Sequence, residues 1–273
     1  MIFPDYHLHS EFSSDSEAKL SDIIDSARQQ GLTSVCLTDH HDIDFPVEVS
    51  EERLDFQLDL PAYKLTLKKL REELAPDFDL RIGVELGVMP STTEKARNFV
   101  KEHSDLDFII ASTHIVDGMD PYYPSYFEGR SDAAGYHRYF EVILDTLRDY
   151  TDFDVYGHLD YVVRYGPGQL STYDPSEHME VIDEILKIIV QSGHGIEVNT
   201  GSLYKGLPMA HPHIDILKRY RALGGEIITI GSDAHIPSRV GAYFDKARSL
   251  LLEAGFTSYC TFKKRIPTFH KIP

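Results

Sequence analysis

Short apolar runs alternate with longer amphipathic segments along the whole chain. The apolar runs predict strands at 2–9, 33–39, 80–87, 106–114, 153–158, 195–199 and 226–232. Between them, apolar positions that recur every three or four residues predict helices at 21–32, 61–75, 92–103, 132–150, 175–192, 211–223 and 243–254. Alternating elements of these lengths are typical of a parallel α/β sheet, either closed as a barrel or doubly wound.

Two of the predicted strands are apolar almost throughout, FIIAST at 108–113 and EIITIGS at 226–232. Such runs indicate a sheet that is covered on both faces. No shift in composition marks a linker, so we expect a single domain over residues 1–273. The segment 116–131 lacks periodicity and carries four aromatic residues, which is more typical of a functional lid than of a disordered loop.

The composition narrows the possible partners. The chain has 273 residues, a length that suits one (β/α) barrel, and its formal net charge is −17. That charge would repel a nucleic-acid backbone, so no nucleic-acid partner is expected. No apolar stretch approaches the ~20 residues of a membrane helix, and we expect a cytoplasmic protein without a membrane partner. Cys36 and Cys260 are too few for a disulfide framework or a thiolate zinc site, and the oligomeric state stays open.

Metal-ligating residue types occur where the predicted strands end. His7 and His9 share one face of the first strand, because residues i and i+2 of a strand point the same way. The full set comprises His7, His9, Asp15, His40, Glu85, His114, His158, Asp233 and His235. The carboxyl ends of parallel strands meet at one edge, where sites are built. Nine ligands exceed the needs of one ion, so two or three ions with a bridging carboxylate are expected, and mixed His/carboxylate shells suit Zn, Fe or Mn.

Taken in order, the motifs HLHS, TDHH, GVELG, STH, GHLD and SDAH resemble those of the polymerase and histidinol phosphatase (PHP) superfamily. They span residues 7 to 235, and within the superfamily the length and spacing are similar to those of the stand-alone histidinol-phosphate phosphatases. The resemblance implies a distorted (β/α)7 barrel of the PHP type with its metal site at the C-terminal ends of the strands. It also implies three divalent transition-metal ions, zinc foremost, with iron or manganese as alternatives.

The resemblance further implies how the ligands divide among the ions. The groups are His7, His9, Glu85 and Asp233 for the first ion, Glu85, His114 and His158 for the second, and Asp15, His40 and His235 for the third. Glu85 would bridge the first two ions. Asp15 stands where some relatives carry histidine, which makes the third site harder and more anionic.

The activity that the resemblance implies is hydrolysis of L-histidinol phosphate to L-histidinol and phosphate, a step of histidine biosynthesis. A hydroxide held between the two ions bridged by Glu85 would attack phosphorus. His41, Asp160 or a water would protonate the leaving alkoxide. The candidate substrate-binding residues are Arg130, Arg164, Asn199, Ser202, Lys205 and Asp42, with Asp44 or the tyrosines of 122–126 as further partners for the ammonium and imidazole groups.

Other functions share part of this pattern. A phosphatase for nucleotides or phosphotyrosine peptides would use the same metal motifs, because the chemistry lies on phosphorus. The charge of −17 disfavours a PHP exonuclease or proofreading module, and the complete ligand set disfavours a non-catalytic binding domain. His211 and His213 repeat the i, i+2 spacing, but no predicted strand end presents them, so we do not expect them to bind metal.

Overall fold

A curled, parallel sheet forms the centre of the molecule. The computed structural model describes residues 3–49, 54–168 and 173–273. The strands are β1 (Ser34–Leu37), β2 (His40–Asp42), β3 (Asp79–Gly87), β4 (Phe108–Ser112), β5 (Val155–Tyr156), β6 (Gly195–Asn199) and β7 (Ile228–Gly231). Their order is β1-β3-β4-β5-β6-β7, and β2 also pairs with β3. Because β1 and β2 pair with β3 in the same register, they act as one strand interrupted at residues 38 and 39.

The amino-terminal segment, residues 3–9, lies between the two ends of this sheet. It forms single parallel bridges from Asp5 to Val35 and from Leu8 to Ala234. Its backbone groups bond to both neighbours at 2.8–3.0 Å, so it completes a distorted seven-stranded barrel. The predicted fold class is therefore confirmed. The prediction of a regular strand at 2–9 is wrong over the described residues, and residue 2 lies outside them.

Helices surround the sheet. They are α1 (Leu20–Gln29), α2 (Leu60–Leu74), α3 (Thr93–Glu102), α4 (Asp132–Asp149), α5 (Met179–Gln191), α6 (Gly201–Tyr204), α7 (Ile214–Ala222) and α8 (Phe244–Glu253). In α5, the residues Val181, Ile182, Ile185, Leu186 and Ile189 are buried, which is the spacing of one helical face. No described helix is both long enough and apolar enough to cross a bilayer.

A carboxy-terminal hairpin, β8 (Ser258–Lys263) and β9 (Ile266–Lys271), was not predicted from the sequence. The hydroxyl of Tyr6 donates to the carbonyl of Phe262 at 3.0 Å and accepts from its N–H at 3.1 Å. Both rings pack in an apolar cluster with Phe108 and with the two buried, unpaired cysteines, Cys36 and Cys260. Since Phe108 opens β4, the hairpin covers the amino-terminal end of the barrel and leaves the opposite end for a site.

The aromatic segment 116–131 is ordered by its own side chains. Tyr126 and Phe127 are buried in a 3-10 turn, and the Tyr126 hydroxyl donates to the carbonyl of Gly135 at 2.7 Å. This contact joins the segment to the first turn of α4.

Candidate metal centre

The nine predicted ligands come together at the carboxyl-terminal end of the barrel, around Glu85. Glu85 lies in β3 and is completely buried. Histidine nitrogens surround its two carboxylate oxygens at 2.9–3.4 Å, from His7, His9 and His40 at Oε2 and from His114 and His158 at Oε1. A carboxylate with imidazoles on both oxygens is arranged to bridge two cations.

Asp233 faces His7 and His9. Its Oδ1 lies 3.4 Å from Nε2 of His9 and 3.8 Å from Nε2 of His7. Asp233 has a φ of 55°, a left-handed conformation in which aspartate is one of the more tolerated residues. Its N–H donates to the carbonyl of His7 at 2.8 Å, so closure of the barrel fixes the ligand's position.

The third group of ligands lies at the rim of the barrel. Asp15 Oδ2 is 3.0 Å from Nε2 of His235 and 3.6 Å from Nε2 of His40. The side chains of Asp15 and His235 are each 28% exposed, whereas Glu85 is fully buried. The ring of His235 stacks on that of His9 at 4.1 Å, so this exposed group is continuous with the buried ones.

The donor set fits divalent transition metals. Oε2 of Glu85 and Nδ1 of His40 are buried and have no hydrogen-bond partner among the described residues, although they lie 3.0 Å apart. Nε2 of His7 and Nε2 of His9 are 3.1 Å apart. Among the residues that the structure describes, five overlapping groups of three side chains hold their ligand atoms within 4.8 Å of one another. Such convergence of lone pairs, with imidazole and carboxylate together, is typical of Zn, Fe or Mn sites.

Two carboxylates contact candidate ligand histidines from outside the ligand set, and the sequence did not predict this role for them. Glu197 Oε2 is 2.9 Å from Nδ1 of His7, and its Oε1 accepts the N–H of His158 at 2.7 Å. Asp42 Oδ2 is 2.6 Å from Nδ1 of His114, so it lies against a ligand rather than free to receive the substrate's ammonium group. Both arrangements match the carboxylate that orients a metal-bound histidine. The only sequence signal for Glu197 is a charged residue inside an otherwise apolar strand.

A third buried carboxylate, Asp39, holds the loop that follows His9. It accepts the N–H of Ser10 at 2.6 Å and the hydroxyl of Ser13 at 2.8 Å. The Ser13 oxygen in turn lies 3.2 Å from Nδ1 of His9 and accepts the N–H of His40 at 3.1 Å. The loop therefore links two ligand histidines that are 31 residues apart in the chain.

Charge in the metal-free cluster is balanced by protons. Burial alone would lower the pKa of His7, but Glu197 and Glu85 raise it well above the usual value. Burial would raise the pKa of Glu85, but His7 and His40 hold it well below the usual value. Burial and the neighbouring His235 lower the pKa of His9. Metal ions that bind here compete with these protons.

Arg164 and Asn199, predicted to bind the substrate, lie beside the first ligand group. The Arg164 guanidinium is buried and donates to Oδ2 of Asp233 at 3.0 Å and to Oδ1 of Asn199 at 2.8 Å. The Asn199 amide donates to Oε1 of Glu197 at 3.0 Å. These two side chains therefore join a predicted ligand to the carboxylate behind His7.

The other predicted substrate-binding residues have contacts elsewhere. The Ser202 hydroxyl donates to the carbonyl of Met209, and Lys205 is exposed. The Arg130 guanidinium lies over the ring of Tyr126 at 4.8 Å. Asp44 accepts from the exposed Lys95 at 2.8 Å.

The two predicted proton donors differ in their surroundings. The ring of His41 stacks on Phe99 at 4.7 Å, and its Nδ1 accepts the N–H of Leu58 at 3.2 Å. His41 is therefore turned away from the ligand cluster. Asp160 is completely buried and lies 2.5 Å from Nδ1 of His211, a residue that the sequence did not implicate.

Comparison with known proteins agrees with this fold. Residues 5–201 match the PHP domain family. The chain is 32% identical to the histidinol-phosphatase of Lactococcus lactis subsp. lactis, over 94% of this chain and 93% of that protein. It is 30% identical to the probable histidinol-phosphatase of Clostridium acetobutylicum, over 90% and 91%. The chain belongs to the PHP domain family, which confirms the resemblance seen in the motifs.

Solved structures extend the likeness to three dimensions. The crystal structure of histidinol phosphate phosphatase from Lactococcus lactis, complexed with zinc, L-histidinol and phosphate, superposes with a TM-score of 0.87 at 30% identity. The match covers 97% of this chain and 98% of that one. The putative histidinol phosphatase of Listeria monocytogenes superposes with a TM-score of 0.77 at 19% identity and so shares the fold.

Proposed function

We propose that this protein is a metal-dependent phosphomonoesterase that hydrolyses L-histidinol phosphate to L-histidinol and phosphate. The observation that carries the proposal is the buried Glu85 carboxylate with five histidine nitrogens around it, at the mouth of a PHP barrel. A relative that is 30% identical over nearly the whole chain binds zinc, L-histidinol and phosphate. The protein would act in the cytoplasm, where this hydrolysis is a step of histidine biosynthesis.

We assign three divalent ions, zinc foremost, to the three ligand groups. The groups are His7, His9, Glu85 and Asp233; Glu85, His114 and His158; and Asp15, His40 and His235. When bound, such ions supply a nucleophilic hydroxide at neutral pH and neutralise phosphoryl oxygens. Because three carboxylates face three divalent ions, the loaded centre is cationic and suits a dianionic ester.

We further propose that Arg164 holds the phosphoryl group of the substrate. Two of its nitrogens are engaged by Asp233 and Asn199, while Nε is buried and has no hydrogen-bond partner within the described part of the chain. A guanidinium fixed on two sides keeps its Nε–H donor oriented, and arginine geometry matches phosphate oxygens.

We also propose that a row of tyrosine rings receives the imidazole of the substrate. Ring centroids are 4.9 Å apart from His158 to Tyr161, 5.0 Å from Tyr161 to Tyr165 and 5.3 Å from Tyr165 to Tyr122. The row thus runs from the metal centre to the aromatic segment, where Tyr122 is 55% exposed. A flat heteroaromatic group stacks favourably on such faces.

One comparison of substrates tests the proposal. Phosphate release would be measured from L-histidinol phosphate, a nucleoside monophosphate and a phosphotyrosine peptide, and compared by kcat/KM. We expect L-histidinol phosphate to be preferred. If another ester gives the highest kcat/KM, the substrate assignment is wrong although the metal centre stands. The Asp233→Asn variant should lose bound zinc and turnover on every ester.

A further inference from the structure

A buried aspartate–histidine pair lies beside the metal centre and belongs to none of its ligand groups. Oδ1 of Asp160 is 2.5 Å from Nδ1 of His211, and both residues are completely buried. Oδ2 of Asp160 accepts the hydroxyl of Tyr173 at 3.2 Å and the N–H of His213 at 2.9 Å. Each oxygen of Asp160 therefore already accepts a hydrogen bond.

These contacts fix the state of the pair. Oδ1 of Asp160 faces Nδ1 of His211, and Oδ2 accepts two other hydrogen bonds, so both oxygens of the carboxylate are engaged as acceptors. With Asp160 as the acceptor, Nδ1 of His211 carries the hydrogen of this bond. The other nitrogen, Nε2, is buried and without a hydrogen-bond partner among the residues that the structure describes. One imidazole nitrogen is thus held in place while the second is left available.

The pair lies on the side of the metal centre where Arg164 and Asp233 meet. The backbone of His211 pairs with Asn199 in both directions, at 2.7 and 2.9 Å. The Asn199 side chain contacts Arg164 and Asp233 directly, and the charges of both act on the His211 ring. His211 is therefore close to the guanidinium that we assign to the phosphoryl group.

The leaving group of an alkyl phosphate needs a proton, and the contacts of the two side chains predicted to supply it, His41 and Asp160, do not suit that role. The ligand imidazoles are committed to metal, His41 is turned towards Phe99 and Leu58, and both oxygens of Asp160 are already engaged in hydrogen bonds. We propose that His211 is the general acid that protonates the leaving alkoxide through Nε2, with Asp160 as the residue that positions it. This inference rests on the proposed function.

In the proposed step, one proton moves from His211 to the leaving group. As the P–O bond breaks, its electron pair stays on the alkoxide oxygen, which takes the Nε2 proton of the His211 imidazolium. The oxygen of the attacking water becomes the fourth phosphate oxygen, and the proton that this water loses returns to His211 through solvent. Burial lowers the pKa of His211 in the free protein, so the charge of the incoming phosphate is needed to favour the imidazolium, which Asp160 then stabilises.

Leaving-group dependence tests the role of His211. The His211→Asn variant keeps an amide that can donate to Asp160 but removes the Nε2 position. We expect kcat on L-histidinol phosphate to fall about 10²–10⁴-fold with little change in KM. Turnover of p-nitrophenyl phosphate, whose leaving group needs no proton, should change much less, and bound zinc should stay the same. The matched control is His213→Asn, because asparagine also caps a helix and His213 caps α7.

Three results would overturn the proposal: equal losses on both esters, unchanged kcat on L-histidinol phosphate, or a rise in KM alone. Asp160→Asn keeps the volume of the side chain and should show the same selective loss of kcat on L-histidinol phosphate. This variant therefore tests the proposal if His211→Asn does not fold. If the wild-type protein hydrolyses p-nitrophenyl phosphate too slowly to measure, the kinetics on L-histidinol phosphate alone test the proposal. A fall in kcat with little change in KM supports it, and a rise in KM alone contradicts it. A wild-type protein that hydrolyses other esters but not L-histidinol phosphate contradicts the proposed function instead.

Discussion

Glu197 contacts His7 on the side of the ring opposite to Glu85. The Glu197 carboxylate lies 2.9 Å from Nδ1 of His7, while Nε2 of the same ring lies 3.2 Å from Glu85. The ring is therefore fixed between two carboxylates, one of them in the ligand set and one outside it. The N–H of His158 also donates to Glu197, so a single buried side chain orders two ligand histidines.

Replacing Glu197 by glutamine should weaken zinc binding about 10–100-fold, which is the usual effect of losing a partner of a metal-bound histidine. The fold should persist, since glutamine has nearly the same volume. Zinc affinity measured by competition with a chromogenic chelator checks this. The exposed Glu17→Gln variant is the control, and equal affinities in the two variants would refute the positioning role.

The exposure of the third ligand group predicts stepwise loss of metal. Because Asp15 and His235 are partly open to solvent and Glu85 is buried, a chelator should remove one ion well before the others. Asp15→Asn should abolish only this fast phase. Metal release followed by stopped-flow absorbance, with metal content measured at each stage, gives the result. Simultaneous loss of all ions would contradict the division between rim and interior.

Zinc affinity should rise with pH through the neutral range. Burial opposes protonation of His7, but Glu197 and Glu85 raise its pKa well above the usual value, so the metal-free ring carries a proton that zinc must displace. Acidification therefore favours the metal-free state. Calorimetry in two buffers of different ionisation enthalpy, at about pH 6 and about pH 8, measures the protons released. An affinity independent of pH would contradict this account.

Tyr6→Phe should destabilise the protein without altering catalysis. The hydroxyl makes two hydrogen bonds with the backbone of Phe262, and its removal leaves buried backbone groups unpaired, at a cost of about 1–3 kcal/mol. Urea unfolding measures the free energy, and kcat on L-histidinol phosphate should stay the same. Tyr243→Phe, at a partly exposed ring, is the control. Equal stability of the two variants would show that the hairpin is not held by this contact.

The convergence of the nine candidate ligands could be predicted because their signal is local. His7, His40, His114 and His158 each follow or end an apolar run, and parallel strands bring such positions to one edge whatever the rest of the fold does. Glu197 carries no comparable signal, since its role depends on His7, which is 190 residues away in the chain and reaches it only through closure of the barrel.

Other features depended on contacts between distant segments. His211 ends no strand, and an isolated bridge to Asn199 rather than regular structure brings it to the site. Residues 3–9 have the composition of a strand, but their hydrogen bonds are shared between two neighbours, which breaks the regular ladder. The hairpin β8–β9 was missed because Pro267 and several basic residues interrupt its apolar pattern.

The position of residues 3–9 has a consequence for the order in which the enzyme matures. This stretch is synthesised before every strand of the sheet, and one of its neighbours, β7, is made more than two hundred residues later. His7 and His9 can meet Asp233 only after that delay, so a nascent or half-folded chain lacks a complete reactive centre. Hydrolytic activity is thereby withheld until residues 3–9 have closed the barrel against β7.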